Sequence, residues 1–204
     1  VSGASEKMNY YLSVGYVNNQ SAYRDDNYSA VRANMKISGK VNNWLEIGAN
    51  VNFQDRREDN VTGVGDDISN SPFSNHTNAD GSYTQYPHGE TVKQGSNWDF
   101  WRQYRDKENG VTVLNTIFNA KVKLPFNVTY QFNIAPRYSW YYNRYFSSAS
   151  EPGVSAKDRG VDRNWNKHFN YSLNNTITWD QTFAKKHHVV LTLVQEAEEL
   201  RYWS

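Results

Sequence analysis

The sequence predicts an all-β chain, a segment of an antiparallel, up-and-down transmembrane β-barrel with about seven long strands, short periplasmic turns and long extracellular loops. Three observations predict it. Apolar and polar residues alternate at period two over long runs. Most runs exceed the roughly 5–6 residues of soluble strands and match the roughly 9–11 that cross a bilayer at a tilt. Connections alternate between short and long, so the tight turns gather at one end.

The first strand spans 7–17, with Met8, Tyr10, Leu12, Val14 and Tyr16 opposite Asn9, Tyr11, Ser13 and Gly15. The second, 28–41, sets Val31, Ala33, Met35, Ile37 and Val41 against Arg32, Asn34, Lys36, Ser38 and Lys40. The third, 44–54, carries Leu45, Ile47, Ala49, Val51 and Phe53 on its apolar face. The alternation resumes over 111–124 with Leu114, Phe118, Ala120, Val122 and Leu124. It is longest over 126–147, where Val128, Tyr130, Phe132, Ile134, Tyr138, Trp140 and Tyr142 share a face. Strand 167–181 follows, with Phe169, Tyr171, Leu173, Ile177 and Trp179. The last run, 187–197, is weaker and apolar on both faces. The tight connections are Asn42-Asn43, Leu124-Pro125-Phe126 and Ala184-Lys185-Lys186; the long ones are 18–27, an extracellular loop over 55–110, and 148–166.

Composition fits this reading. Only 38% of the residues are hydrophobic, yet 15% are aromatic. Disordered chains are poor in aromatics, so these rings belong to an ordered structure. A strand with one face to lipid and one to a wet lumen is only half apolar. Trp44, Phe126 and Trp179 at the turn side, and Tyr16, Trp140 and Tyr142 at the loop side, are candidates for interfacial girdles. The net charge of +1 carries no basic footprint, so no nucleic-acid partner is expected. The absence of cysteine excludes a disulfide scaffold and a Cys-based zinc site. No apolar run is long enough for a membrane helix, and no signal peptide is present. The abrupt start at Val1-Ser2-Gly3 reads as that of an internal or processed piece.

The long loop holds the candidate site. Tyr83, Tyr86, Trp98, Phe100, Trp101 and Tyr104 lie there among Gly, Asn and Asp. Aromatic faces beside polar groups suit sugar rings or peptide side chains. Tyr83, Tyr86, Trp98, Trp101 and Tyr104 are therefore the substrate-contact candidates; packing the loop onto its neighbours or onto a partner is the competing role. Trp98, Trp101 and Arg105 share helical spacing, which predicts a short helix within 96–107. Asn78-Ala79-Asp80-Gly81-Ser82 lacks the ligand spacing of a calcium loop and reads as a turn. Asp25-Asp26 and Asp66-Asp67 read as solvated loop residues rather than cation ligands. His187 and His188 point to opposite strand faces, which makes them a poor metal pair. Glu196, Glu198 and Glu199 read as a solvated acidic cluster. The N-x-S/T triplets follow from Asn-rich strands. No nucleophile–base pair, phosphate loop or carboxylate pair stands out, so no enzyme, cofactor or metal is expected.

Two hairpin regions carry a family resemblance. Val1-Ser2-Gly3-Ala4-Ser5-Glu6-Lys7 followed by Tyr10-Tyr11-Leu12-Ser13-Val14-Gly15-Tyr16, and Tyr28 through Val41 followed by Trp44-Leu45-Glu46-Ile47-Gly48-Ala49-Asn50, resemble an early barrel region of the SusC/RagA-like TonB-dependent outer-membrane transporters of Bacteroidetes. Tyr171 through Trp179, with His187-His188-Val189-Val190-Leu191 after a short turn, resembles a later hairpin of that family. The resemblance covers the strands and not the 55–110 loop. Ala4 and Val194 depart from it, each where glycine is expected. It implies a β-barrel fragment, with the plug domain and the rest of the barrel outside these residues. It also implies location in the cell outer membrane and nutrient import driven through TonB, which engages the missing plug region. The other implied partners are a SusD-like lipoprotein lid, outer-membrane lipid, and a glycan or peptide solute, with oligosaccharide ahead of oligopeptide. The alternative is a soluble secreted all-β carbohydrate-binding module, which explains the Tyr and Trp richness but neither the long strands nor the sorted loops.

Overall fold

The computed structural model describes residues 1–21, 27–59, 70–153, 155, 157 and 160–204. Eight antiparallel strands form one sheet and follow chain order from edge to edge. They are β1 (Ser2–Ala4), β2 (Met8–Gln20), β3 (Asn27–Lys40), β4 (Leu45–Asp59), β5 (Arg105–Leu124), β6 (Val128–Ser147), β7 (Val161–Phe183) and β8 (His187–Trp203). The helix α1 (Trp98–Arg102) lies between β4 and β5. The sheet is open: β1 and β8 do not pair.

The count is eight rather than seven because the three residues Ser2–Ala4 ladder onto β2, a run too short to alternate visibly. The loop expected over 55–110 is shorter, since β4 continues to Asp59 and β5 begins at Arg105. β7 and β8 likewise extend to Val161 and Trp203. These extensions carry polar and charged side chains on both faces, so no period-two pattern marks them, yet their backbones are laddered from Arg105↔Ser147 and Phe146↔Val161 inward. The same laddering confines the helix to Trp98–Arg102, because Arg105 onward is strand.

Register keeps the two faces separate across the sheet. One row reads Tyr10, Ile37, Ala49, Phe118, Ile134, Leu173 and Ala197 from β2 to β8. The adjacent row, on the opposite face, reads Asn9, Ser38, Gly48, Asn119, Asn133, Asn174 and Glu196. A one-residue slip in any pairing would turn a whole strand over, so the alternation itself specifies the register. None of the described residues covers the apolar face. Ala30 is the one buried apolar residue among those described, whereas Met35, Ile47, Phe118, Ile177 and Leu193 are 44–65% exposed. Soluble monomers rarely leave apolar patches beyond a few hundred Å² uncovered, and this patch spans seven strands. Three polar side chains on the apolar face bond to one another: Tyr130 Oη donates to Asn175 Oδ1 at 2.6 Å, and Asn175 Nδ2 donates to Gln195 Oε1 at 2.5 Å.

The tight turns share one end. Asn42 Oδ1 accepts the backbone N–H groups of Trp44 and Leu45 at 3.0 and 2.8 Å, closing β3 onto β4. Phe126 and Asn127 sit at φ +64° and +59°, and Ala184 and Lys185 at +49° and +56°. Paired left-handed residues give the primed turn whose twist matches a hairpin. Ala184 bears the steric cost of that conformation, roughly 1–2 kcal/mol for a non-glycine residue, against roughly 0.5–1 kcal/mol of extra chain entropy that glycine would lose. Ala184→Gly is therefore expected to raise unfolding free energy by about 0.5–1 kcal/mol, while Ala184→Val lowers it, as read by denaturant titration.

Candidate functional site

The loop between β4 and β5 has its own framework over residues 70–104. Asn78 and Ser82 close a small hairpin, Ser82 O accepting the Asn78 N–H at 2.8 Å, and Thr77 bridges Tyr83. Asp80 is held by Ser82, whose hydroxyl and N–H donate to its Oδ1 at 2.6 and 3.0 Å. These bonds keep the Asp80 carboxyl below its ordinary value, the hydroxyl contributing most. They fill the Asn78–Ser82 segment as a turn.

Asn97 locks this hairpin to the helix. It precedes α1 and is 1% exposed, and its Nδ2 donates to the carbonyls of His76 and Thr84, both at 2.8 Å. His76 Nε2 meets Asp99 Oδ2 at 2.9 Å, and Arg102 Nη1 lies 3.5 Å from Asp99 Oδ1. Hairpin and helix thus share one polar seam.

The five aromatic candidates surround that seam, and all are half-buried. Tyr83 packs edge-on against His76 at 5.5 Å between centroids. Tyr86 accepts a hydrogen bond from Gln85 Nε2 at 3.2 Å. Trp98 opens the helix. Phe100 joins Trp101 and Tyr104 at 5.2 and 5.4 Å. The Arg105 guanidinium lies 4.7 Å over the Trp101 ring. The structure gathers Trp98, Trp101 and Tyr104 at the helix and puts Tyr83 and Tyr86 on the hairpin strand leading toward it.

Arg105 also pairs with a buried carboxylate. Its Nε and Nη2 donate to Glu151 Oε1 at 2.7 and 2.5 Å, while Ser147 Oγ donates to Glu151 Oε2. Glu151 is 2% exposed. Tyr104 O accepts the Ser148 N–H at 2.7 Å, so the two long loops are fastened together at the root of the aromatic group. Nothing in sequence spacing links Arg105 to Glu151.

A second feature lies on the polar face. The outer halves of β3 to β6 enclose a hollow of about 300 Å³ lined by Arg32, Arg56, Arg137, Asn52, Asn115 and Tyr141 among others. Arg32 Nη2 donates to Tyr28 Oη at 3.0 Å, and Arg56 Nε sits 3.1 Å from Glu58. Arg137 has no acidic partner among the described residues. Sequence reading passes over these arginines because each is an ordinary polar-face residue of its own strand; only the register brings them together.

The remaining candidates separate. His188 Nε2 meets Asp180 Oδ1 at 2.7 Å on one face, while His187 lies on the other. The acidic cluster divides too: Glu196 accepts from Asn174 Nδ2 at 2.8 Å, and Glu199 pairs with Arg201 on the opposite face at 2.5 Å. Asp25-Asp26 and Asp66-Asp67 lie outside the described residues. Among the described residues no group of three His, Asp or Glu side chains is placed to hold a metal ion.

Arg105→Met would strand the Glu151 carboxylate without its cation. Breaking such a pair costs about 3–5 kcal/mol, and the loss should appear as faster amide exchange in 98–104 and 147–153 with the strands unchanged.

No known family profile matches the chain, and no curated protein matches it. Solved structures do. The RagAB peptide transporter aligns with a TM-score of 0.79 at 15% identity, over 97% of this chain and 23% of that one. The RagAB peptide importer in its "open-open" state gives 0.79 at 16% identity, over 98% and 23%. In its "closed-closed" state it gives 0.74 at 15% identity, over 98% and 24%. The chain thus spans about a quarter of the length of the structures it matches, and it shares their fold over that span.

Proposed function

We propose that these strands are part of the barrel wall of a SusC/RagA-like, TonB-dependent importer in the outer membrane, completed by further strands and a plug domain. The observation that carries this reading is the uncovered apolar face, which spans seven strands above a single set of tight turns. Such a face has a stable place against lipid, and the Asn-rich face then lines a wet lumen. The soluble binding module is disfavoured by the same observation, since it would hold that face in water.

In this reading TonB acts through the plug, and a lipoprotein covers the outer mouth. Tyr83, Tyr86, Trp98, Trp101 and Tyr104 are the proposed loop contacts for solute, held in place by the Asn97 and Glu151 anchors. The solute is an oligopeptide. Two observations support this over an oligosaccharide. The matched structures are peptide transporters. And the Arg32 and Arg137 hollow suits carboxylates, which peptides carry and neutral glycans lack. The oligosaccharide reading rests on the loop aromatics, which suit sugar rings equally well.

The test is uptake by cells expressing the complete protein. Arg32→Gln with Arg137→Gln is expected to raise the half-saturating concentration for oligopeptides about tenfold, the loss of one charge-assisted hydrogen bond or more. Neutral oligosaccharide uptake should be absent throughout. Robust TonB-dependent glycan uptake with no peptide uptake would transfer the assignment to oligosaccharides.

A further inference from the structure

Rows of opposed residues on the apolar face end in a patch with surplus positive charge. On β6 the face reads Tyr138, Trp140, Tyr142 and Arg144; on β7 it reads Phe169, Lys167, Trp165 and Arg163. Trp203 and Arg201 of β8 complete the rows beside Lys167 and Phe169. Tyr138 stacks on Trp140 at 5.6 Å and meets Phe169 at 4.5 Å. The Lys167 ammonium lies 5.8 Å from the Tyr138 ring centre and 5.3 Å from that of Trp203. Above this belt Arg144 and Arg163 are directly opposed.

Like charges set opposite each other destabilise a strand pair unless something lies between them. Arg144 is compensated by Asp106 and, at 3.7 Å, by Glu108; Arg201 is compensated by Glu199. Arg163 and Lys167 have no acidic partner among the described residues. They sit on the same face of β7, about 13 Å apart along the strand, flanking Trp165. From the Val128–Trp179 row to the Trp140–Lys167 row is about 12 residues, or about 30 Å of height at a tilt near 40°. That is close to the height of an apolar band with its girdles, so these cations stand at headgroup level on the loop side.

We propose that Arg163 and Lys167, framed by Trp140, Trp165 and Trp203, bind the phosphate of an outer-leaflet phosphorylated glycolipid of the lipid A type. The inference rests on the outer-membrane reading. The aromatic belt takes the acyl–headgroup boundary, and the two cations supply the missing counter-charge. An anion at Arg163 also relieves its opposition to Arg144.

The test uses the complete protein in nanodiscs of phosphatidylcholine containing a small fraction of lipid A, phosphorylated or enzymatically dephosphorylated. Lipid A retained per protein is counted by native mass spectrometry. Removing each cation should weaken retention about fivefold, so Arg163→Gln with Lys167→Gln loses most of it. Lys121→Gln with Lys123→Gln, on the polar face, should leave it unchanged. Dephosphorylated lipid A should be retained as poorly by the native protein as phosphorylated lipid A is by the double variant. Equal retention in the double variant, or equal retention of both glycolipids, overturns the site while leaving the membrane reading intact. A protein that inserts into no bilayer overturns both.

Discussion

The structure depends on one constraint: each strand's backbone N–H and C=O groups must be paired by the fold itself, as the proposed lipid setting, without water, demands. A sheet meets it only through its neighbours, strand by strand. Here each strand pairs with the next in chain order from β1 to β8, the β5–β6 ladder being interrupted only opposite Ala135 and Pro136, with side chains alternating faces as a by-product of the pleat. Once one face is apolar across the whole ladder, the register is determined. The tight turns also gather at one end, because consecutive antiparallel strands return at alternate ends and here every second return is short. The Tyr130–Asn175–Gln195 chain shows the constraint at side-chain level: polar groups on the apolar face bond to each other.

The ladder also explains how the long loops are held. β5, β6 and β7 continue beyond the apolar band as polar strands, and the loops spring from that raised platform. Arg105 begins β5, stacks on Trp101 and pairs with Glu151, so one side chain couples the aromatic group to the neighbouring loop. For the proposed solute contacts, tethering the loop lowers the entropy lost when a solute orders them.

Most of the barrel-like core was legible in the sequence, since Met8 to Tyr16 or Val128 to Tyr142 can alternate so regularly only as strands with two unlike faces. Strand ends were less legible. Arg105 to Asn109 are polar on both sides, and at the start of β7 Arg163 and Lys167 break the apolar row of Val161, Trp165 and Phe169, so periodicity fades where pairing continues. The aromatic group over 83–104 was visible as composition, but its anchors were not. Asn97 reaches His76 and Thr84, and Glu151 reaches Arg105, through contacts with no spacing signature. The arginine hollow was invisible for a related reason: Arg32 and Arg137 are distant in the chain and meet only through the register of four strands.

A barrel wall and a sheet in water differ in which face meets lipid. These 204 residues hold no cysteine, so once any cysteine elsewhere in the complete protein is replaced, single cysteines can be introduced one at a time along β6 from Tyr130 to Trp140, spin-labelled and studied in vesicles. Collision rates with oxygen and with a polar nickel chelate then report lipid and water. The prediction is a period-two alternation, with labels at 130, 132, 134, 136, 138 and 140 exposed to oxygen and those between them exposed to the chelate. Equal access to the chelate on both faces would contradict it, since the apolar face would then lie in water.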